Sequence, residues 1–156
     1  MIARNLSAAA TPARLDELLA WSCADVADPA ARERLRGYGA HKLAALADLA
    51  ATLHTADDEP ELVRLLAACW LELRCEWECY NNVSNYHLFN FGTDAQPEVM
   101  AAAALTSGML GWIEEVVPGQ AVELMSSATI DLLDRIRADV LERASTAGAA
   151  SAADGR

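Results

Sequence analysis

Apolar residues recur along this chain at three- and four-residue steps, the period of a helix buried on one side. Leu15, Leu18, Leu19, Ser22 and Val26 share one face of a segment at 12–27, and Leu35, Tyr38, Lys42, Leu46, Leu49 and Leu53 share one face at 29–54. Within 60–91 the series Leu62, Leu66, Cys69, Leu73, Glu76, Tyr80, Val83, His87 advances in 4-3-4-3 steps. Val122, Met125, Thr129, Leu132, Leu133, Ile136 and Val140 mark an amphipathic segment at 119–144. The stretch at 97–116 differs, because "VMAAAALTSGMLGWI" is apolar nearly all round and rich in small residues. It reads as a central helix, with Ala104, Gly108 and Gly111 permitting a neighbour's close approach.

The punctuation agrees with this division. Pro12, Pro29, Pro60 and Pro97 suit the first turn of a helix, where the missing N–H has no partner to lose. Thr11, Asp28 and Asp94 or Gln96 are candidate N-caps, Asp57, Asp58 and Glu59 favour the positive end of the third helix, and Gly92 ends it. Alternating β-branched runs between turn residues are missing, so no strand is expected. The pattern predicts an all-α, single-domain antiparallel bundle of about five helices over 12–145, with an N-terminal arm at 1–11 and a flexible tail at 146–156.

Composition narrows the function classes. With 156 residues and 53% hydrophobic content, the chain can bury a substantial core. A net charge of -11 repels phosphate backbones, and Arg32, Arg34 and Arg36 lie among acids, so nucleic acid is excluded as an expected partner. The most apolar stretch, 99–113, is shorter than the ~20 residues a spanning helix needs, which argues against a membrane. No apolar signal region is seen near the start. Cys23, Cys69, Cys75 and Cys79 are therefore expected as reduced thiols in the cytoplasm.

Candidate chemistry concentrates in "CEWECYNNVSNYHLFNFG" at 75–92. Continuing the apolar seam of Leu62, Leu66, Cys69 and Leu73 puts Glu76, Tyr80 and His87 inward, flanked by Glu72 and Ser84. Arg74, Glu78, Asn82 and Asn85 fall on the opposite side. Glu76 and His87 stand about 16 Å apart along the axis and cannot share a proton. Glu72 and Glu76, one turn apart, can share a cation. Glu76 has two readings: a general acid/base, or one half of an ion pair with Lys42 in the apolar stripe of the second helix. His87 and Tyr80 are either catalytic or hydrogen-bonded packing residues.

Metal chemistry is weakly supported. Glu-x-x-His, the signature of di-iron bundles, does not occur. Cys75 and Cys79 make one Cys-x-x-x-Cys step, which resembles the pairs in copper-storing helical bundles, where the step is repeated many times. Two further zinc ligands at finger spacing are not found. No phosphate loop or nucleophile elbow occurs, and Gly37 and Gly39 read as a kink or a close packing point.

Six of the nine aromatic residues fall between positions 70 and 91, and Val63, Trp70, Trp77 and Leu88 form a second apolar stripe. Trp21 lies off the core face of its helix. A helix so widely apolar is either central or covers a subunit interface, which favours a homodimer.

The leading expectation is a small-molecule-binding bundle, able to perform cofactor-free acid/base chemistry. Glu76, His87 and Tyr80 would be catalytic, and Glu72, Ser84, Lys42, Trp77, Ser107, Gly111 and Glu115 would hold the substrate, without cofactor or metal. The alternatives are a non-catalytic homodimeric interaction protein and, more weakly, metal binding through Cys75 and Cys79.

Overall fold

In the computed structural model, residues 1–92 and 95–119 are described, with Ser127, Asp131, Asp134, Arg135, Ala138, Asp139, Glu142 and Arg143. The described elements are all helices: α1 (Ile2–Ala9), α2 (Pro12–Ser22), α3 (Pro29–Thr52), α4 (Glu59–Phe91) and α5 (Pro97–Glu114). Their contacts are those of a compact bundle, with no strand among the described residues. None of the helices is long and apolar enough to cross a membrane.

Local chemistry sets the helix boundaries. The Thr11 hydroxyl accepts the Arg14 amide at 3.2 Å, and the Asp28 carboxylate accepts the Ala30 amide at 3.0 Å. These caps hold the starts of α2 and α3, each followed by a proline at the first position. Gly92 closes α4 in the left-handed region, φ 63°, where a side chain would be strained. The segment expected to be helical at 12–27 stops at Ser22, five residues sooner, because the chain turns through Cys23 to place Val26 in the core. The Arg32 guanidinium donates through Nε to the Val26 carbonyl and holds that turn.

Residues 1–11, expected as an arm, contain α1, whose Ala3, Leu6 and Ala9 are buried, Leu6 completely. The backbone N–H of Ile2 donates to Glu59 at the start of α4, 2.9 Å away. The segment at 119–144 and the tail at 146–156 lie largely outside the described residues.

The central role expected of the 97–116 helix is met by α5. It buries Ala101, Ala102, Leu105, Thr106, Met109, Leu110, Trp112 and Ile113, which together cover more than one face. Fully buried Thr106 satisfies its hydroxyl on its own helix by donating to the Ala102 carbonyl at 2.9 Å. Two glycines set the inter-helix distances. A Cβ on Gly108 would stand 2.5 Å from Leu18 Cδ1, and one on Gly39 would stand 2.8 Å from Leu15 Cδ1. Gly39 is thus a close packing point, as expected for it, whereas Gly37 and Gly111 face open space.

The most extensive pairing is that of α4 with α5, antiparallel, pinned by Trp70 Nε1 to Glu114 at 2.9 Å and by Ser84 to Met100 Sδ at 3.0 Å. With 33 residues α4 is about 50 Å long and α5, with 18, about 27 Å. The register sets the first turn of α5 opposite the level of His87. Within α4 the buried residues are Leu62, Leu66, Trp70 and Leu73, none of them beyond the middle of the helix.

Leu6→Ala should destabilise the protein by about 3 kcal/mol, since the side chain is fully buried between α1 and its neighbours. Urea unfolding followed by circular dichroism measures this. A change of a few tenths of a kcal/mol would mean that α1 is not integral to the fold.

Candidate functional site

Lys42 is the first residue to account for, because an ammonium in an apolar stripe requires partners. Its Nζ lies 2.9 Å from Glu72 Oε1 and 3.1 Å from Glu76 Oε1, so one lysine of α3 clamps two carboxylates a turn apart on α4. The ammonium also sits 5.5 Å from the centroid of the Tyr38 ring. The Tyr38 hydroxyl donates to Glu76 Oε2, so both carboxylate oxygens of Glu76 are engaged, one by a phenol and one by an ammonium.

The electrostatics follow from this geometry. Burial first, then the hydrogen bond to Glu76 and the charges of Glu76 and Glu72, push the Tyr38 phenol far above its ordinary pKa. Burial alone would lower the Lys42 pKa, but the hydrogen bonds and charges of Glu72 and Glu76 outweigh it and raise the value. Tyr80 is also raised, by burial and then by the nearby Glu76 carboxylate. At neutral pH the site therefore presents neutral phenols and a lysine firmly held as its cation.

Beside this network a cleft of about 320 Å³ opens between α3, α4 and α5. Tyr38 and Tyr80 line it from two helices, Leu35, Val99 and Ala102 supply apolar wall, and Arg34 and Glu98 stand at its polar side. The Arg34 guanidinium holds the Glu98 carboxylate at 2.9 Å. The Tyr80 hydroxyl has no hydrogen-bond partner among the described residues.

The structure brings together part of the expected site. Glu76, Glu72, Lys42 and Tyr80 converge. Tyr38, Arg34 and Glu98 were not expected as site residues, although Tyr38 stands one turn before Lys42 in the same stripe. His87 does not join them: its ring packs with Phe91 at 5.5 Å and Tyr86 at 6.2 Å, near the uncovered end of α4. Ser84 bonds Met100 and does not line the cleft. Trp77 is half-buried against the core and carries the Arg74 guanidinium 4.6 Å from its ring centroid, while Arg74 pairs with Glu78 at 2.7 Å. That pairing leaves Arg74 and Glu78 half-buried, not on the fully solvated side.

On α5, Ser107 is exposed and Gly111 faces open space, so neither forms the far wall. Glu115 is held by Arg14 through two contacts of 2.8 and 2.7 Å, beside α1 and α2, and does not close the cleft. Cys75 is half-buried and Cys79 exposed. Burial, followed by the charges of Cys79, Glu78 and Glu76, raises the Cys75 pKa and disfavours the thiolate a soft metal needs. Among the described residues no group of three or more His, Cys, Asp or Glu side chains is placed to hold a metal ion.

No family model, no curated protein and no solved structure matches this chain.

The pH dependence of the Tyr38–Glu76–Lys42 network has a definite sign. Tyr38 and Lys42 have folded-state pKa values raised above their ordinary 10.0 and 10.5. The folded protein therefore holds more protons than the unfolded chain above about pH 10, and stability falls as pH rises through that range. Below it the contribution is complete. The thermal midpoint of the wild type should drop more steeply between about pH 9.5 and 11 than that of Tyr38→Phe, which removes one of the two groups. Parallel curves for the two proteins would show that the phenol is not coupled to Glu76.

Proposed function

We propose that this chain is a small-molecule-binding helical bundle whose ligand occupies the cleft between α3, α4 and α5. The observation that carries this reading is the pair of phenols lining the cleft. Tyr38 is fixed by Glu76 and Lys42, and Tyr80 keeps a hydroxyl free to donate. About 320 Å³ lies at the low end of the ~300–1,000 Å³ typical of ligand pockets, which suits a single-ring or short branched molecule. Leu35, Val99 and Ala102 would hold its apolar body, and the Tyr80 hydroxyl would meet an acceptor oxygen or nitrogen.

Tyr80 serves this cleft as a hydrogen-bond donor, since its raised pKa keeps the phenol neutral. Glu76 acts by positioning Tyr38, because its oxygens are already committed to Tyr38 and Lys42. The four cysteines are all free thiols, which supports a reducing compartment such as the cytoplasm.

A screen of single-ring probes, phenol and acetophenone among them, by chemical-shift perturbation tests this reading. Acetophenone should shift resonances of Tyr38, Tyr80 and Val99. Ala102→Leu, which fills the cleft, should abolish those shifts, and Tyr80→Phe should weaken binding by about tenfold through loss of one hydrogen bond in a half-buried site. Shifts that persist in Ala102→Leu would sink the assignment.

A second reading, self-association, is favoured by a different observation. Val83, Tyr86, Leu88, Phe89 and Phe91 on the last turns of α4 are exposed, Phe89 by 84%, and Trp21 on α2 by 69%. Grouped apolar exposure of this kind marks a protein interface more often than a solvated surface. A homodimer through the end of α4 should sediment at twice the 16.7 kDa chain mass, and Phe89→Ser combined with Phe91→Ser should return it to a monomer with an unchanged thermal midpoint. A monomeric wild type at micromolar concentration would remove this reading.

A further inference from the structure

On the other side of α3 lies a second and larger cavity, a groove of about 660 Å³ against α2. Alternate arginines of "RERLR" part company here. At 100° per residue, Arg34 points roughly opposite to Arg32 and Arg36. Arg34 goes to Glu98 on α5, whereas Arg32 and Arg36, one turn apart, line the groove with Asp16, Leu19, Ala20 and Cys23. The floor is apolar and buried, formed by Leu19 and Cys23 at 4% and 8% exposure.

The charges in the groove are incompletely matched. Arg14, Arg34, Arg64 and Arg74 each hold a carboxylate at 2.9 Å or less. Arg32 holds no carboxylate among the described residues. Its Nε is spent on the Val26 carbonyl, which fixes the side chain and leaves both terminal nitrogens without a partner there. Arg36 reaches Asp16 through a single 3.3 Å contact between two well-exposed side chains. The groove thus carries two guanidinium groups against one carboxylate, in a chain with 23 acidic and 12 basic side chains. In so acidic a chain the terminal nitrogens of Arg32, its Nε held by the Val26 carbonyl, thus stand unpaired among the described residues beside an apolar floor.

We propose that the groove between α2 and α3 binds a small organic carboxylate. Its head group bridges the free terminal nitrogens of Arg32 and the Arg36 guanidinium, and its apolar body rests on Leu19 and Ala20. Asp16 is an internal competitor for Arg36 that the ligand's carboxylate displaces. This site is independent of the α3–α4–α5 cleft and stands or falls apart from it.

Calorimetric titration of the full chain with benzoate and with inorganic phosphate tests the proposal. Benzoate should bind saturably with one site per chain. Arg36→Gln should weaken binding by about tenfold, the effect of losing one charge-assisted contact, and Ala20→Phe, at an exposed position lining the groove, should abolish it by filling the space of the apolar body. Asp16→Asn should tighten binding several-fold by freeing Arg36, a gain that a purely structural role for these residues would not produce. Inorganic phosphate, lacking an apolar body, should bind more weakly than benzoate. The proposal is overturned if benzoate shows no saturable binding, if Ala20→Phe binds it as well as the wild type, if Asp16→Asn weakens it, or if phosphate binds as tightly as benzoate.

Discussion

The constraint on which this bundle depends is the sequence of α5, which is apolar on nearly every side. A helix with one apolar stripe can lie on a surface, but one apolar all round must be enclosed. Ala101, Leu105, Met109, Leu110, Trp112 and Ile113 leave solvent along about half of the helix circumference, a face wide enough for α1, α2, α3 and α4 all to contact α5, while Ser107 and Met100 on the remaining side stay exposed. Small residues decide how near they come. Gly108 admits Leu18 of α2, and Gly39 of α3 admits Leu15 and Leu105. The enclosure of α5 is also what brings α3 and α4 side by side, and with them the residues that cannot be buried alone.

Lys42 and Glu76 illustrate that second step. Each interrupts an apolar seam, and each would cost several kcal/mol if buried without a partner. Across the α3–α4 contact they satisfy one another, with Glu72 taking part of the ammonium and Tyr38 the second oxygen of Glu76. A network closed in this way supports a cleft wall firmly and is poorly placed to shuttle protons, since every acceptor on Glu76 has a donor already. The group left over is Tyr80, half-buried in the same cleft with a hydroxyl that the described residues do not use.

Much of the fold was legible in the sequence because the physics involved is local. Thr11, Asp28 and the four helix-initiating prolines announce their helices within a few residues, and the nearly unbroken apolar run of α5 identifies it as central. The Lys42–Glu76 pair was also legible, since two misfit charges in neighbouring stripes have few other places to go. What escaped was non-local. Glu115 meets Arg14 across a separation of 101 residues, and nothing in either neighbourhood signals it. The segment around Leu6 reads as an arm because α1 is short and its cap offers no side-chain hydrogen bond; only the burial of Leu6 explains why it is helical. The groove arginines lie among acids in sequence, yet on a helix sequence neighbours point apart, and Arg32 holds no carboxylate among the described residues.

His87 and Ser84 lie apart from the cleft for a different reason. Periodicity tells which face of a helix a residue occupies, but not how closely the neighbouring helices pack on that face. The seam of α4 continues in phase through Val83 and His87, while α5 begins opposite His87 and the buried part of α4 ends at Leu73. Beyond that level the helix changes character: residues 79–92 contain no Asp, Glu, Lys or Arg, in a chain of net charge -11. A helix end destined for water would carry the charges that abound elsewhere on this surface, and this one carries Tyr86, Leu88, Phe89 and Phe91 in their place. The unusual composition of 75–92 is therefore two features in tandem: a polar clamp where α3 covers the helix, and an uncharged end whose aromatic side chains stay exposed.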